Sequence, residues 1–174
     1  RFPWAAGVSG NVMPESFFQE VAQAQPLTLK QLERRLPSMM RAAVRATAEA
    51  QGKAESEFLL KVAGVAWDFA HRRPLGFMAT STVGVTIGQE IEPFTWYETD
   101  WTVATHHHPS ELLGREVDVM NPASFDPEHD GRDLVIAQRA AGMVSVTPGL
   151  DDAAAGIGGE VQMTVVTKAG VQVW

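Results

Sequence analysis

The amino-acid sequence predicts an α+β fold in which a mixed or antiparallel sheet has helices packed against it. Residues 28–51 carry a helix-capping signal and read as helix. Residues 75–87 place apolar side chains at every second position, which is typical of a strand. Residues 161–174 read as a terminal hairpin. The order of helices, strands, a loop, one helix and strands indicates the α+β class.

The first segments of the chain are expected to be helical or irregular. Residues 1–27 have no clear apolar period and are expected to form a mostly irregular arm, with a short helix from Pro14. Thr28 and Gln31 resemble a capping box at the start of the next helix. Pro37 is expected to interrupt this helix, and Ser38 to cap a second piece that ends at Gly52.

A further helix is predicted over residues 58–71. Its apolar side chains follow a period near 3.6 residues, and Pro74 prevents its continuation. The positions that form this stripe are Phe58, Leu59, Val62, Val65, Ala66 and Phe69.

The strands of the sheet are all expected after residue 74. After the alternating residues 75–87, residues 91–97 are expected to form an edge strand containing Pro93, and Trp101, Val103 and Thr105 alternate again. Residues 109–132 read as a long loop, and residues 133–141 as a helix closed by Gly142. Residues 143–147 read as a strand, and residues 148–159 as a loop before the terminal hairpin.

Composition and net charge argue against several classes of partner and of metal site. The chain of 174 residues carries a net charge of −7, which argues against a nucleic-acid or anionic-membrane partner, since both attract basic surfaces. No apolar run is long enough to span a bilayer, and the chain contains no cysteine, so thiolate metal sites are excluded. Because the chain begins with Arg1, we expect it to belong to a larger polypeptide or complex.

Three consecutive histidines, His106, His107 and His108, stand at the end of a predicted strand, before Pro109. Side chains two residues apart on a strand point to the same side, so His106 and His108 can take adjacent corners of a tetrahedral zinc site. His107 points the other way. The sequence therefore predicts a metal site, with zinc as the expected ion.

A third ligand is expected from the acidic region that follows. Asp133 falls in the first turn of the next predicted helix and is the preferred candidate. Asp130 is an alternative ligand, although it is also a natural helix cap. Asp126 and His129 are further alternatives, and His129 would give a site of three histidines.

These residues resemble the motif of the JAMM metalloproteases. That family carries His-x-His-Pro at a strand end, followed by a loop and by Ser-x-x-Asp at the start of a helix. This chain has His106-His107-His108-Pro109 and Asp130-Gly131-Arg132-Asp133, with Asp130 in place of the serine and a longer loop between the motifs. The resemblance covers about residues 55–174, and it is closest to JAMM-like domains of bacterial Rhs and polymorphic toxins.

The resemblance implies a fold and an activity. It implies the layered architecture shared with cytidine deaminases, with residues 1–54 forming an arm and helical segment packed on a metal-binding domain of residues 55–174. It also implies a zinc-dependent hydrolase of peptide or isopeptide bonds, acting on a protein or peptide as a secreted or delivered effector.

The general base is the most serious point at which this chain departs from the family. In the family a glutamate lies near the start of an early strand, roughly where this chain has residues 72–76, which contain no glutamate. Glu92 is the first candidate to replace it and Glu90 the second, with Glu98 further downstream, while Glu55 and Glu57 precede the helix predicted over residues 58–71. The alternative is a catalytically inactive domain on the same scaffold, with a vestigial or structural metal site.

Overall fold

The computed structural model describes residues 2–86, 89–99, 109–118, 121–126, 129–140 and 164–173. The chain divides into two compact units, Arg1–Asp100 with Val165–Gln172, and Trp101–Thr164 with Val173–Trp174. The boundary suggested near residue 54 lies inside the first unit.

The described elements confirm the α+β class. The helices are α1 (Pro14–Ala24), α2 (Leu29–Gln51), α3 (Pro109–Leu113) and α4 (Asp130–Ala140), with 3₁₀ turns at Glu55–Glu57 and Pro122–Ser124. The strands are β1 (Trp4–Gly10), β2 (Leu60–Asp68), β3 (Arg73–Thr80), β4 (Gly84–Thr86), β5 (Gln89–Ile91), β6 (Tyr97–Thr99), β7 (Thr164–Thr167) and β8 (Gly170–Val173). An antiparallel sheet has the order β1-β2-β3-β6, while β4-β5 and β7-β8 form two-stranded sheets.

Helix α2 begins and ends where the sequence predicted. The Thr28 hydroxyl accepts a hydrogen bond from the Gln31 amide at 3.2 Å, and Gly52 adopts a left-handed φ of 63° at the C-terminus. The expected break at Pro37 is wrong, because α2 runs through it. The buried neighbours Leu36 and Met40 are packed in the core on either side of the proline, and this packing outweighs the one amide hydrogen bond lost there.

The helix predicted over residues 58–71 is also wrong, because the chain forms strand β2 there. Leu60, Val62 and Ala66 are buried on one face of the sheet, while Lys61 and Ala63 between them are exposed. The helical period arose because both faces of this central strand carry apolar residues, which hides the alternation.

The other departures concern β1 and the short strands. The single strand expected over residues 75–87 is wrong, because β3 ends at Thr80 and β4 belongs to a different sheet. The irregular arm expected before Pro14 is instead β1, which pairs with β2 along its whole length, whereas α1 begins at Pro14 as expected. The strand expected over residues 91–97 is wrong: β5 ends at Ile91, Phe94 has a left-handed φ of 55°, and β6 begins at Tyr97.

In the C-terminal half, the region expected as a loop over residues 109–132 contains α3 and a 3₁₀ turn, and α4 starts at Asp130. The terminal hairpin is confirmed by β7 and β8. The expected end of a helix at Gly142, the strand over residues 143–147 and the loop over residues 148–159 lie outside the described residues.

The core of the first unit lies between α2 and the inner face of the sheet. Its fully buried side chains come from both layers and from α1, and they include Phe17, Leu32, Leu36, Met40, Val62 and Phe77. Among the helices in the described ranges, none is long and apolar enough to cross a membrane.

Gly64 provides a test of β2 as a strand. A Cβ atom at this position would lie 2.4 Å from the carbonyl oxygen of Ala5 and 2.5 Å from Cζ of Phe77. We therefore expect Gly64→Ala to lower the free energy of unfolding by about 1–3 kcal/mol, measured by chemical denaturation.

Gly7 on β1 is the matched control, because a Cβ there meets nothing within 4 Å. Gly7→Ala is expected to leave stability unchanged or to raise it slightly. In a helix, Gly64→Ala would instead stabilise the protein by about 1 kcal/mol, so a stabilised variant would contradict the strand.

Candidate functional site

The two histidines of the predicted metal site, His106 and His108, lie outside the described residues. Pro109, the next described residue, is buried and is the first residue of α3. A proline is well suited to a first helical position, because its fixed φ is helical and its missing N–H would have no partner there.

The segment after α3 is folded back by its own hydrogen bonds. The hydroxyl of Ser110 accepts a hydrogen bond from the Val117 amide at 2.8 Å and lies 3.2 Å from the Val117 carbonyl. Gly114 turns the chain with a left-handed φ of 65°, and Val117 is buried. Residues 109–118 are thus ordered by local contacts, where the sequence predicted only a loop.

Asp130, at the start of α4, is the centre of the described contacts in this unit. Its Oδ2 atom accepts a hydrogen bond from the Asp126 amide at 2.6 Å and another from the Arg115 guanidinium. Arg115 also donates to the Ser124 carbonyl at 3.1 Å. The Arg115 guanidinium, followed by the Asp126 amide, holds the pKa of the Asp130 carboxyl below its ordinary value. These contacts favour a structural role for Asp130 over the ligand role considered as an alternative.

Asp133 lies three residues further on, and its amide donates a hydrogen bond to the His129 carbonyl at 3.1 Å. Its side chain is exposed on the first turn of α4. His129 and Asp126, the remaining alternatives, engage each other: 2.8 Å separates Nδ1 of His129 from Oδ2 of Asp126. A carboxylate on one ring nitrogen of a histidine fixes the ring and leaves the other nitrogen as the reactive one.

The two glutamates predicted as bases lie in different local structures. Glu90 is in β5, opposite Val85 of β4. Glu92 follows the end of β5 and is exposed, and its amide donates to the Tyr97 hydroxyl at 2.6 Å. Glu92 therefore belongs to the turn between β5 and β6 and not to the edge strand that the sequence predicted.

Glu57 precedes a strand and not the predicted helix, because residues 60–68 form β2. It ends the 3₁₀ turn that leads into β2, and its carboxylate accepts a hydrogen bond from the Ala54 amide at 3.0 Å. Its carbonyl accepts from the Asn11 side chain at 2.9 Å. The sequence signal for β2 was the valines of residues 60–68, since β-branched residues favour a strand over a helix.

Within the described part of the chain, no group of three or more His, Asp or Glu side chains comes close enough to hold a metal ion. No family model, curated protein or solved structure matches this chain.

The contact between Arg115 and Asp130 predicts a pH dependence. Because folding lowers the pKa of Asp130, the stabilisation is complete above the ordinary value of 3.8 and is lost as the pH falls below it. We expect Arg115→Ala to lower the free energy of unfolding at neutral pH and to reduce this acid sensitivity. The measurement is denaturant unfolding of both proteins across the acid range.

Arg132, an exposed residue of α4, supplies the control. Arg132→Ala is expected to leave the pH profile of the wild type unchanged. Equal pH profiles for wild type and Arg115→Ala would contradict the role given to this ion pair.

Proposed function

We propose that this chain is a zinc-dependent hydrolase of peptide or isopeptide bonds, similar to the JAMM-like domains of bacterial toxins. In this proposal His106, His108 and Asp133 bind the metal, and the substrate is a protein or peptide. The observation that carries the proposal is the start of α4, where two aspartates three residues apart have different surroundings.

The different surroundings of these two aspartates suit a metal site, in which one carboxylate supports the fold and the other binds the ion. Asp130 is buried and held by Arg115, so it stabilises the turn that leads into α4. Asp133 is exposed on the same helical turn, near the positive end of the helix dipole. In the family motif the first residue of the pair is serine and the second is the ligand. Asp130 can replace that serine as a hydrogen-bond acceptor at the helix start.

Bound zinc would polarise the scissile carbonyl and make an attacking water more acidic. The chain itself must supply a base, which takes a proton from this water and delivers it to the leaving amine. A carboxylate performs both steps without a net change in its own protonation.

The candidates for this base are the two glutamates expected from the sequence. Glu92 is the first and follows β5, and Glu90 is the second and lies in β5.

The second candidate function is an inactive domain on the same scaffold, with a vestigial or structural metal site. It is favoured by the start of β3, where Arg73 and Pro74 stand and no glutamate is present. Metal binding and catalysis therefore need separate tests.

The metal is tested on chelator-treated protein reloaded with zinc. We expect about one zinc per chain, and loss of this zinc in His106→Ala, His108→Ala and Asp133→Ala, measured by elemental analysis after gel filtration. His107→Ala is the control and should retain the metal. Absence of stoichiometric zinc in the wild type would contradict the proposal, and zinc loss in His129→Ala with retention in Asp133→Ala would move the third ligand to His129.

The base is tested by Glu90→Gln and Glu92→Gln, assayed on any peptide that the zinc-loaded wild type cleaves. Removing the base should lower kcat by about 10²–10⁴-fold while zinc is retained. Glu55→Gln is the control, since Glu55 is an exposed glutamate whose carboxylate contacts Arg45 at 3.3 Å. A zinc-loaded wild type that cleaves no peptide would favour the inactive domain.

A further inference from the structure

Strand β1 lies at one end of the four-stranded sheet and is long and regular. It pairs with β2 at every position from Trp4 with Ala66 to Gly10 with Leu60, without a bulge. In the ranges that the structure describes, no strand lies on its other side, which we call the outer edge. Edge strands are usually protected from other chains by charged side chains, a proline or a bulge, and β1 contains none of the three.

The strand at the opposite end of this sheet, β6, is different. It has only three residues, and Glu98 at its centre is exposed. A short strand with an exposed charge resists pairing with another chain. Of these two end strands, β1 is therefore the one that suits a further strand.

The direction of the backbone groups in β1 follows from two hydrogen bonds that flank it. The Trp67 amide donates to the Pro3 carbonyl at 3.0 Å, and the Asn11 amide donates to the Leu59 carbonyl at 3.0 Å. Because the direction alternates along an antiparallel strand, the odd-numbered residues from 3 to 11 point their backbone groups at β2. The residues between them point their N–H and C=O groups to the outer edge, and these are Trp4, Ala6 and Val8. Such groups are what an added extended strand binds.

The side chains near the outer edge are apolar and incompletely covered. Trp4, Ala6 and Val8 pack against the core but are only partly buried. Residues 2–14 contain no charged side chain. A partner that fits this edge is therefore an extended segment that is apolar on one face and uncharged.

We propose that β1 pairs with β1 of a second copy of this chain, in an antiparallel arrangement that joins two four-stranded sheets into one. A two-fold axis makes an antiparallel strand its own complement. Each copy carries a net charge of −7, and contact through an uncharged segment avoids placing like charges opposite each other. The inference is independent of the metal chemistry.

The side chains of β1 select the register of this pairing. With Ala6 on the two-fold axis, each Trp4 lies opposite Val8 of the partner subunit, and the outward-facing backbone groups of both strands meet. An aromatic side chain opposite a β-branched one stabilises a strand pair, and here the two extend the apolar layer that β1 leaves half-covered. A register centred on Gly7 would instead place Trp4 opposite Gly10, which offers its ring no side chain.

The first test is sedimentation equilibrium of the full chain with a chelator present, so that zinc plays no part. We expect a dimer in the wild type. Val8→Pro removes an N–H that points away from β2, so the monomer keeps its fold while the pairing loses a donor from each copy. The dissociation constant of the dimer should rise at least about tenfold. Val8→Ile keeps the N–H and the β-branch, and should leave this constant unchanged.

The second test is cross-linking, which also checks the register. The chain has no cysteine, so Ala6→Cys and Ser9→Cys each introduce a single thiol. In the proposed register the two Ala6 Cα atoms lie about 5.5 Å apart, which a disulfide can span. The two Ser9 Cα atoms lie about 20 Å apart. Under mild oxidation we expect a covalent dimer of Ala6→Cys and none of Ser9→Cys, although position 9 is the more exposed.

Thermal unfolding of each variant serves as the check that it is folded. The proposal is overturned if the wild type remains monomeric at about 100 μM, which would leave the outer edge to an extended segment of another protein. It is also overturned if a folded Val8→Pro dimerises as the wild type does, or if Ser9→Cys cross-links as readily as Ala6→Cys.

Discussion

The packing of the first unit depends on the contact between Phe77 and Gly64 across β2 and β3. The two residues pair in register, and the missing side chain of Gly64 leaves the space that the Phe77 ring occupies. Phe77 is fully buried and stacks on Trp96, with ring centroids 4.3 Å apart and planes 15° from parallel. The same gap allows the Ala5 carbonyl of β1 to approach β2 closely. One glycine thus lets three strands and an aromatic pair form a continuous layer beneath α2.

Polar side chains accept hydrogen bonds from the backbone amides at the start of β2. The Ser81 hydroxyl accepts a hydrogen bond from the Leu60 amide at 2.8 Å, and the Asn11 side chain accepts one from the Leu59 amide at 2.6 Å. Since buried amides need partners, these side chains fix the point at which the strand begins. Asn11 also donates a hydrogen bond to the Glu57 carbonyl, so this one side chain joins the 3₁₀ turn at Glu55–Glu57 to the start of β2.

The sequence predicted those elements whose signals are local. Thr28 and Gly52 set the ends of α2 by their own hydrogen bonds and backbone angles, and neither depends on distant contacts. Elements fixed by tertiary packing were mispredicted. Pro37 was read as a break because the burial of its neighbours cannot be seen from the chain, and β2 was read as a helix because it is apolar on both faces.

Of the candidate site, the position of two aspartates could be predicted. Spacing identified Asp130 and Asp133 as a pair at a helix start, and α4 begins at Asp130. Spacing could not predict their different surroundings, because these arise from Arg115, which is 15 residues away from Asp130 in the sequence.

Asp68, Asp130 and Asp133 differ in their surroundings, and therefore in how accessible their carboxylates are. Asp68 and Asp130 are both buried, both accept backbone amides, and both have a pKa below the ordinary value because a basic side chain donates to them. Each therefore stays ionised and acts within the fold, paired with a basic side chain. Asp133 has the same chemistry but is exposed, so its carboxylate is accessible to a ligand from outside. The burial of each carboxylate, more than the number of carboxylates, therefore determines which of these three aspartates is accessible to a cation.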